Sequence, residues 1–212
     1  MRYLVVVGLI LSPLLAEAAS YIAIAGEGRT PVSPVMEMPA EYVGVSVFIR
    51  SDAKDAAKRI DEVNETRASL NKAVAANPNL QLQWTRSSYS AEDGSYKLSS
   101  YGADARSQLF VLGKLGPGSI DTVTKQIIAA IKAVEPEGDA NIRTGDTSLG
   151  VTDPERFRKT LLDMVKASIT DTKAALGGSS VEVSGLESPV QVVQKNDREI
   201  TLFLNYRLTV KK

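Results

Sequence analysis

Residues 153–178 read DPERFRKTLLDMVKASITDTKAALGG, and this stretch carries the marks of a helix at both ends. Asp153 is placed to cap the first turn, Pro154 suits the first helical position, and Glu155 favours the positive end of the helix dipole. Phe157, Leu161, Met164, Val165, Ser168, Thr172, Ala175 and Leu176 recur at helical spacing and give the helix one face to bury. Gly177 stands where helices end in a left-handed residue. A helix with a single apolar stripe needs a flat partner, and the segments around it read as sheet.

Downstream, residues 180–187 and 190–194 have strand composition, and Lys195-Asn196-Asp197-Arg198 reads as a turn. The last stretch gives the strongest strand signal of the chain. Ile200, Leu202, Leu204, Tyr206, Leu208 and Val210 alternate with Thr201, Phe203, Asn205, Arg207 and Thr209, which predicts one half-buried strand of eleven residues.

Upstream, residues 20–29 read as a first strand ending in a Gly-rich turn, and residues 41–50 as a second strand. In the second strand Val43, Val45, Val47 and Ile49 share one face; Tyr42, Gly44, Ser46 and Phe48 share the other. Asp52 is expected to cap a helix reaching about Ala76, with Ala53, Ala56, Ile60, Val63, Arg67, Leu70 and Val74 inward. Asn77-Pro78-Asn79 stops it. A hairpin follows: one arm over residues 80–90, a turn at residues 92–95, and a second arm firm over residues 107–115. Gly116-Pro117-Gly118-Ser119 opens the next helix, whose buried face is Ile120, Val123, Ile127, Ile131 and Val134. Residues 135–150 are polar, with a short strand expected around residues 140–143.

The order β-β-α-β-β-α-(β)-α-β-β-β, with strands in adjacent pairs, favours antiparallel pairing. The expected fold is a two-layer α+β domain: a mainly antiparallel sheet covered by three helices, with a rough internal duplication. A candidate subdomain break falls at residues 135–150.

The first eighteen residues have the form of an export signal. Arg2 is the charged start, residues 4–15 are apolar, and Ala16-Glu17-Ala18 offers an A-x-A cleavage pattern. The mature domain would then be residues 19–212, periplasmic, exported or surface-associated, without a membrane-spanning helix.

Composition narrows the chemistry. The 212 residues hold 25 Lys plus Arg, 25 Asp plus Glu, and 43% hydrophobic residues, a balanced globular composition. Neither a basic excess nor a basic stripe is visible in the sequence, so a nucleic-acid partner is not expected. The chain has no His and no Cys, which excludes His-based triads, Cys nucleophiles, disulfides and zinc sites built from imidazole or thiolate. No cofactor or metal is expected. Gly26-Glu27-Gly28 lacks the third glycine and following helix of a nucleotide loop. Glu137, Asp139 and Asp146 fail a calcium loop because Gly150 holds the closing position. Ser51-Asp52-Ala53-Lys54 has the S-x-x-K spacing of a Ser/Lys hydrolase, with Arg143-Thr144-Gly145 as a faint K-T-G; a capped helix start is the simpler reading. Trp84, Tyr89, Tyr96 and Tyr101 gather near the hairpin and are the candidate ligand or partner surface, although cross-strand pairing is the commoner use of such residues.

The pattern resembles the SIMPL-domain family of exported, mostly bacterial proteins. Ile24-Ala25-Gly26-Glu27-Gly28 is similar to that family's opening strand and G-E-G turn. The Trp-Thr-Arg-Ser-Ser-Tyr run within residues 82–90 resembles its strand after the first helix. Ser107-Gln108-Leu109-Phe110-Val111 followed by Gly118-Ser119-Ile120 resembles its next strand and second helix start. Asp171-Thr172-Lys173-Ala174-Ala175-Leu176-Gly177 resembles the ending of its last helix. The likeness covers nearly the whole mature chain. Residues 32–37 replace the usual Pro-Asp, and the last motif reaches its glycine a few residues early.

The resemblance implies a periplasmic or surface-associated protein linked to envelope stress, with ring-forming members and no catalytic residues to carry over. Three functions compete. One is a non-catalytic envelope protein that forms homo-oligomers or binds another macromolecule, with peripheral outer-membrane association. The others are a periplasmic small-ligand carrier and a Ser/Lys hydrolase acting on the cell wall.

Overall fold

The computed structural model describes residues 21–26, 34–89, 105–116, 120–176 and 180–211. The export-signal segment, Tyr96, Tyr101 and Gly177 lie outside the described residues, as does Gly26-Glu27-Gly28 beyond Gly26.

The centre of the molecule is a β-α-β-β-α-β unit. Strand β3 (Tyr42–Ser51) leads to helix α1 (Ala56–Ala75) and strand β4 (Leu80–Tyr89). Strand β5 (Ala105–Lys114) leads to helix α2 (Ile120–Lys132) and strand β6 (Ala140–Thr152). With β1 (Ile22–Ile24) they form a five-stranded antiparallel sheet in the order β1-β6-β3-β5-β4. Each β-α-β crossover skips one strand, which is the split arrangement of ferredoxin-like folds. The two crossovers repeat one another, as the internal duplication requires.

The β3 alternation sets the layers. Val43, Val45, Val47 and Ile49 are at most 2% exposed, and they face α1 and α2. Val63, Leu70 and Val74 of α1 and Ile127 and Ile131 of α2 are buried against them. Gly113 of β5 lets α2 approach: a Cβ there would stand 2.3 Å from Val123 Cγ1. The fold is therefore α+β and antiparallel, with helices packed on the sheet. The third helix, α3 (Arg158–Leu176), follows a 3-10 turn (Pro154–Phe157) and contacts β7 (Ser180–Ser184). No helix among the described residues is long and apolar enough to cross a membrane.

Several boundaries differ from the sequence reading. Asp52 does not cap α1. Ser51 still belongs to β3, and its hydroxyl accepts the Ala53 N–H at 3.2 Å, so residues 52–54 stay non-helical. The cap falls three residues later, where Asp55 accepts the Lys58 N–H at 2.8 Å. Asp153 is not a side-chain cap either. Its N–H donates to the Tyr21 carbonyl at 2.8 Å, ending the β1–β6 pairing, and its φ of 40° puts it in the left-handed region. Short polar side chains tolerate that conformation best. On α3, Leu161 and Val165 are buried, Met164, Ser168 and Thr172 are half-buried, and Ala175 is exposed; Phe157, in the 3-10 turn, is half-buried.

The strand expected around residues 140–143 runs on to Thr152 as β6, hydrogen-bonded to both β1 and β3. The single C-terminal strand is two. Strand β9 (Glu199–Phe203) pairs with β2 (Met36–Pro39) and β8 (Gln191–Gln194), while β10 (Arg207–Lys211) pairs with β7. Ile200, Thr201, Leu202 and Phe203 are all buried, so β9 is a central strand covered on both faces. The chain changes sheets at Asn205-Tyr206, beside Gly185, whose φ of 89° forms the turn after β7. The even-numbered aliphatics stay inward through Leu204, and Leu208 is half-buried.

Candidate functional site: an arginine-lined trough

On the sheet face away from α1 and α2, strand periodicity aims the alternate residues outward. On β3 these are Phe48 and Arg50, on β5 Arg106 and Gln108, and on β6 Asn141 and Arg143. β4 would present the wrong phase. Trp84 faces α1, but a register shift between Trp84 and Arg86 turns Arg86 and Ser88 to the open face. Re-aiming side chains is a common use of a β-bulge.

Register brings these side chains into two rows. One row runs Asn141–Arg50–Arg106–Ser88, and the next runs Arg143–Phe48–Gln108–Arg86. At about 4.8 Å between strands, each row crosses about 15 Å from β6 to β4. Together the rows line a cavity of about 400 Å³ holding four arginines, and among the described residues no carboxylate lines it. Phe48 lies in the middle, 41% exposed. A second register shift, between Val45 and Val47, makes room beside it. Gly145 stands there, where a Cβ would come within 3.0 Å of the Phe48 ring.

The trough is closed at one end. The Gln83 amide on edge strand β4 donates to the Ile22 carbonyl on the opposite edge strand β1 at 3.0 Å. The sheet therefore curls until its edges touch at that level.

The absence of a basic stripe from the sequence did not carry over to the fold. Arg50, Arg86, Arg106 and Arg143 are far apart in the chain, and only the strand order assembles them. Their shared signal is phase: Arg50, Arg106 and Arg143 each adjoin an inward-facing residue, Ile49, Ser107 and Ile142, near one end of a strand. Arg86 carries no such signal, because the bulge resets it.

The aromatic cluster expected from the sequence is only partly within view. Trp84 and Tyr89 lie on the helix side of β4, 43% and 42% exposed. The Arg67 guanidinium stacks 4.2 Å above the Trp84 ring and donates to the Tyr89 hydroxyl at 3.3 Å. Tyr89 in turn donates to Asn64 at 3.4 Å. These contacts tie α1 to β4, on the face opposite the trough.

The S-x-x-K reading is not assembled. Ser51 is fully buried on the helix face and donates to Glu62 Oε2 at 2.5 Å, while Lys54 is exposed in the non-helical link. Arg143 lies on the other face of the sheet. Glu62 is 4% exposed. Burial pushes its carboxyl up, but the Ser51 hydroxyl, the Asp139 N–H and Lys58 outweigh that and hold it below the ordinary carboxylate range. Arg59, 1% exposed, donates to the carbonyls of Ala53 and Lys54 at 2.8 and 2.9 Å and fixes the same link. These buried polar groups interrupt the apolar stripe of α1, which sequence periodicity alone did not single out.

The calcium reading finds no support. Lys58 pairs with Asp139 at 3.0 Å, and Asp146 lies along β6. Among the described residues no group of three or more acidic side chains could hold a metal ion.

No family model matches the chain, and no curated protein matches it. Among solved structures, it is similar to a hydantoinase/carbamoylase family amidase from Burkholderia ambifaria, at 12% identity and a TM-score of 0.31. That likeness covers 54% of this chain and 30% of the amidase. It is also similar to the de novo designed protein Foldit4, at 11% identity and a TM-score of 0.25, over 50% of this chain and 98% of the design. Likenesses at this level carry no functional meaning for the chain.

Proposed function

We propose that the chain is an exported, non-catalytic binding protein of the cell envelope, of SIMPL type, whose partner presents an anionic group to the arginine trough. The observation that carries this reading is the row pair on β6, β3, β5 and β4, with four guanidinium groups on one concave face and no lining carboxylate among the described residues. Guanidinium groups match carboxylate and phosphate geometry with paired hydrogen bonds. Their clustering also gives a neutral chain a local positive field. The A-x-A signal at residues 16–18 supports the address, and the missing His and Cys support a role by binding.

Self-association belongs to the same reading. β7 and β10 make a two-stranded ribbon, and such ribbons are marginal alone and open to pairing along their edges.

The test is retention of the mature protein on a sulfated anionic resin, with light scattering of the eluate. Retention at low salt that is lost in the Arg86→Gln/Arg143→Gln double variant supports the reading. Equal retention of both proteins would contradict it, and a strict monomer at high concentration would remove the self-association part.

A further inference from the structure

The inner row of the trough defines the ligand more closely, resting on the reading just given. We infer that the trough takes a small carboxylic acid, with the apolar body of the acid against Phe48 and its carboxylate on Arg143 and Arg86.

Along the strands the trough runs to a filled end. Asn141, Arg50, Arg106 and Ser88 make its outer row. Arg143, Phe48, Gln108 and Arg86 lie two residues further in, about 7 Å at the rise of a strand. Past them, Leu112, Phe110 and Ile24 fill the concave face. A Cβ on Gly44 would stand 2.7 Å from Leu112 Cδ2 and 3.5 Å from both Ile24 Cδ1 and Phe110 Cδ1. A ligand lying along the strands therefore ends at the Phe48 row.

That row joins two kinds of contact. The Phe48 ring is 41% exposed, and Arg143 stands directly across from it on β6. Gln108 stands directly across on β5, with Arg86 next on β4. Direct neighbours have Cβ atoms about 5 Å apart. An apolar ring and a planar donor fork thus lie one side chain apart. The fork holds a carboxylate with two parallel hydrogen bonds, and the ring favours carbon over water. One small molecule meets both only where a carboxylate is joined to an apolar body. Sulfate offers nothing to the ring, and a neutral hydrocarbon offers nothing to the guanidinium groups. Arg50 and Arg106 of the outer row make interactions of their own and are not needed for this contact.

The seat for the ring is built into the strands. Gly145 leaves the ring its place, since a Cβ there would come 3.0 Å from Phe48 Cε2. The Ser46 hydroxyl donates to the Asp146 carbonyl at 3.3 Å beside the register shift. The cavity of about 400 Å³ is near the small end of ligand pockets, which run from about 300 to 1,000 Å³. That space suits an acid with one ring or a short chain.

Thermal unfolding of the mature protein at pH 7 and fixed ionic strength tests this, with phenylacetate, phenylacetamide, acetate and sulfate compared at equal concentration. Phenylacetate is expected to raise Tm by a few degrees more than each of the other three. Phe48→Ala is expected to bring phenylacetate down to the level of acetate, and Arg143→Gln down to the level of phenylacetamide. Acetate or sulfate matching phenylacetate would overturn the apolar part while leaving an anion-binding trough. Phenylacetamide matching phenylacetate, or no rise with any of the four, would overturn the anion reading as well. An excess that survives both variants would overturn the location. Acetyl-alanyl-phenylalanine outdoing phenylacetate, with its amidated form inert, would replace the small acid by a peptide C-terminus. Should a variant unfold, the wild-type amide shifts of Phe48 and Arg143 decide: they are expected to move with phenylacetate and stay in place with phenylacetamide, and shifts centred elsewhere would overturn the assignment.

Discussion

Arg50 of β3 stands directly across from Arg106 of β5 in the sheet register, on the face turned away from the helices. Like charges in that relation oppose pairing, by a few tenths to about 1 kcal/mol. Arg86 and Arg143 flank them and add to the field. Removing one of the two outer charges should reduce the dependence of stability on salt, since the Debye length shrinks from about 30 Å at 0.01 M to about 8 Å at 0.15 M. Urea unfolding at low and physiological sodium chloride checks this. The Arg86→Gln variant should show a visibly smaller salt effect than the wild type.

Trp84 is the single tryptophan of the chain and lies under Arg67 at 4.2 Å. Replacing Arg67 with Ala should change its fluorescence and cost about 0.5–1 kcal/mol, the range of an exposed cation–π contact. Because Trp84 faces α1, an anion bound in the trough should leave its emission unchanged. Quenching on ligand addition would instead assign binding to the aromatic side.

Ser51 and Glu62 form a buried charge-assisted hydrogen bond. Ser51→Ala should cost about 1.5–3 kcal/mol, the worth of a hydrogen bond to a charged group. The pH dependence has a definite sign. Folding holds the Glu62 carboxyl below its ordinary value, with Ser51 outweighing burial together with Asp139 and Lys58. Its contribution is therefore present at neutral pH and is lost as pH falls below about 4.3 toward the folded value. Unfolding measured between pH 7 and pH 3 should show that loss in the wild type and less of it in Ser51→Ala.

Arg158 brackets the start of α3 to the segment after β7. It pairs with Glu155 at 2.5 Å and donates to the carbonyls of Leu186 and Ser188 at 2.8 and 2.7 Å. Glu155 also accepts the Val190 N–H at 2.8 Å. Its carboxyl is held low, chiefly by Arg158 against a smaller opposing effect of burial and with help from Val190. Lys cannot reproduce the planar fork. Arg158→Lys should lower stability by about 1–2 kcal/mol, within the range for lost hydrogen bonds at a partly exposed site. Hydrogen exchange should speed up over residues 186–190 while the sheet amides of β3 and β5 stay protected.

The layers were legible because they rest on periodicity. Val43, Val45, Val47 and Ile49 of β3 and Ile127 and Ile131 of α2 are buried as their spacing required. The helix starts were less legible. Ser51 accepts the Ala53 N–H and the Tyr21 carbonyl accepts the Asp153 N–H, bonds at a strand end and across long range that set where Asp52 and Asp153 lie. β2 was not anticipated: it is a four-residue edge strand ending at Pro39, and an edge strand tolerates proline. The split between β9 and β10 is invisible to a period of two, which continues across Asn205 while the pairing partner changes. The trough was hidden for the same reason: its four arginines become neighbours only through the order β6-β3-β5-β4.

Backbone amide chemical shifts of the isotope-labelled mature protein, followed while sodium sulfate is added at constant ionic strength, test the trough most directly. Shifts confined to residues 48–50, 86–88, 106–108 and 141–143, saturating with ligand, are the predicted result. Saturating shifts centred on α1 and Trp84, or on β7 and β10, with the trough amides unmoved, would contradict it.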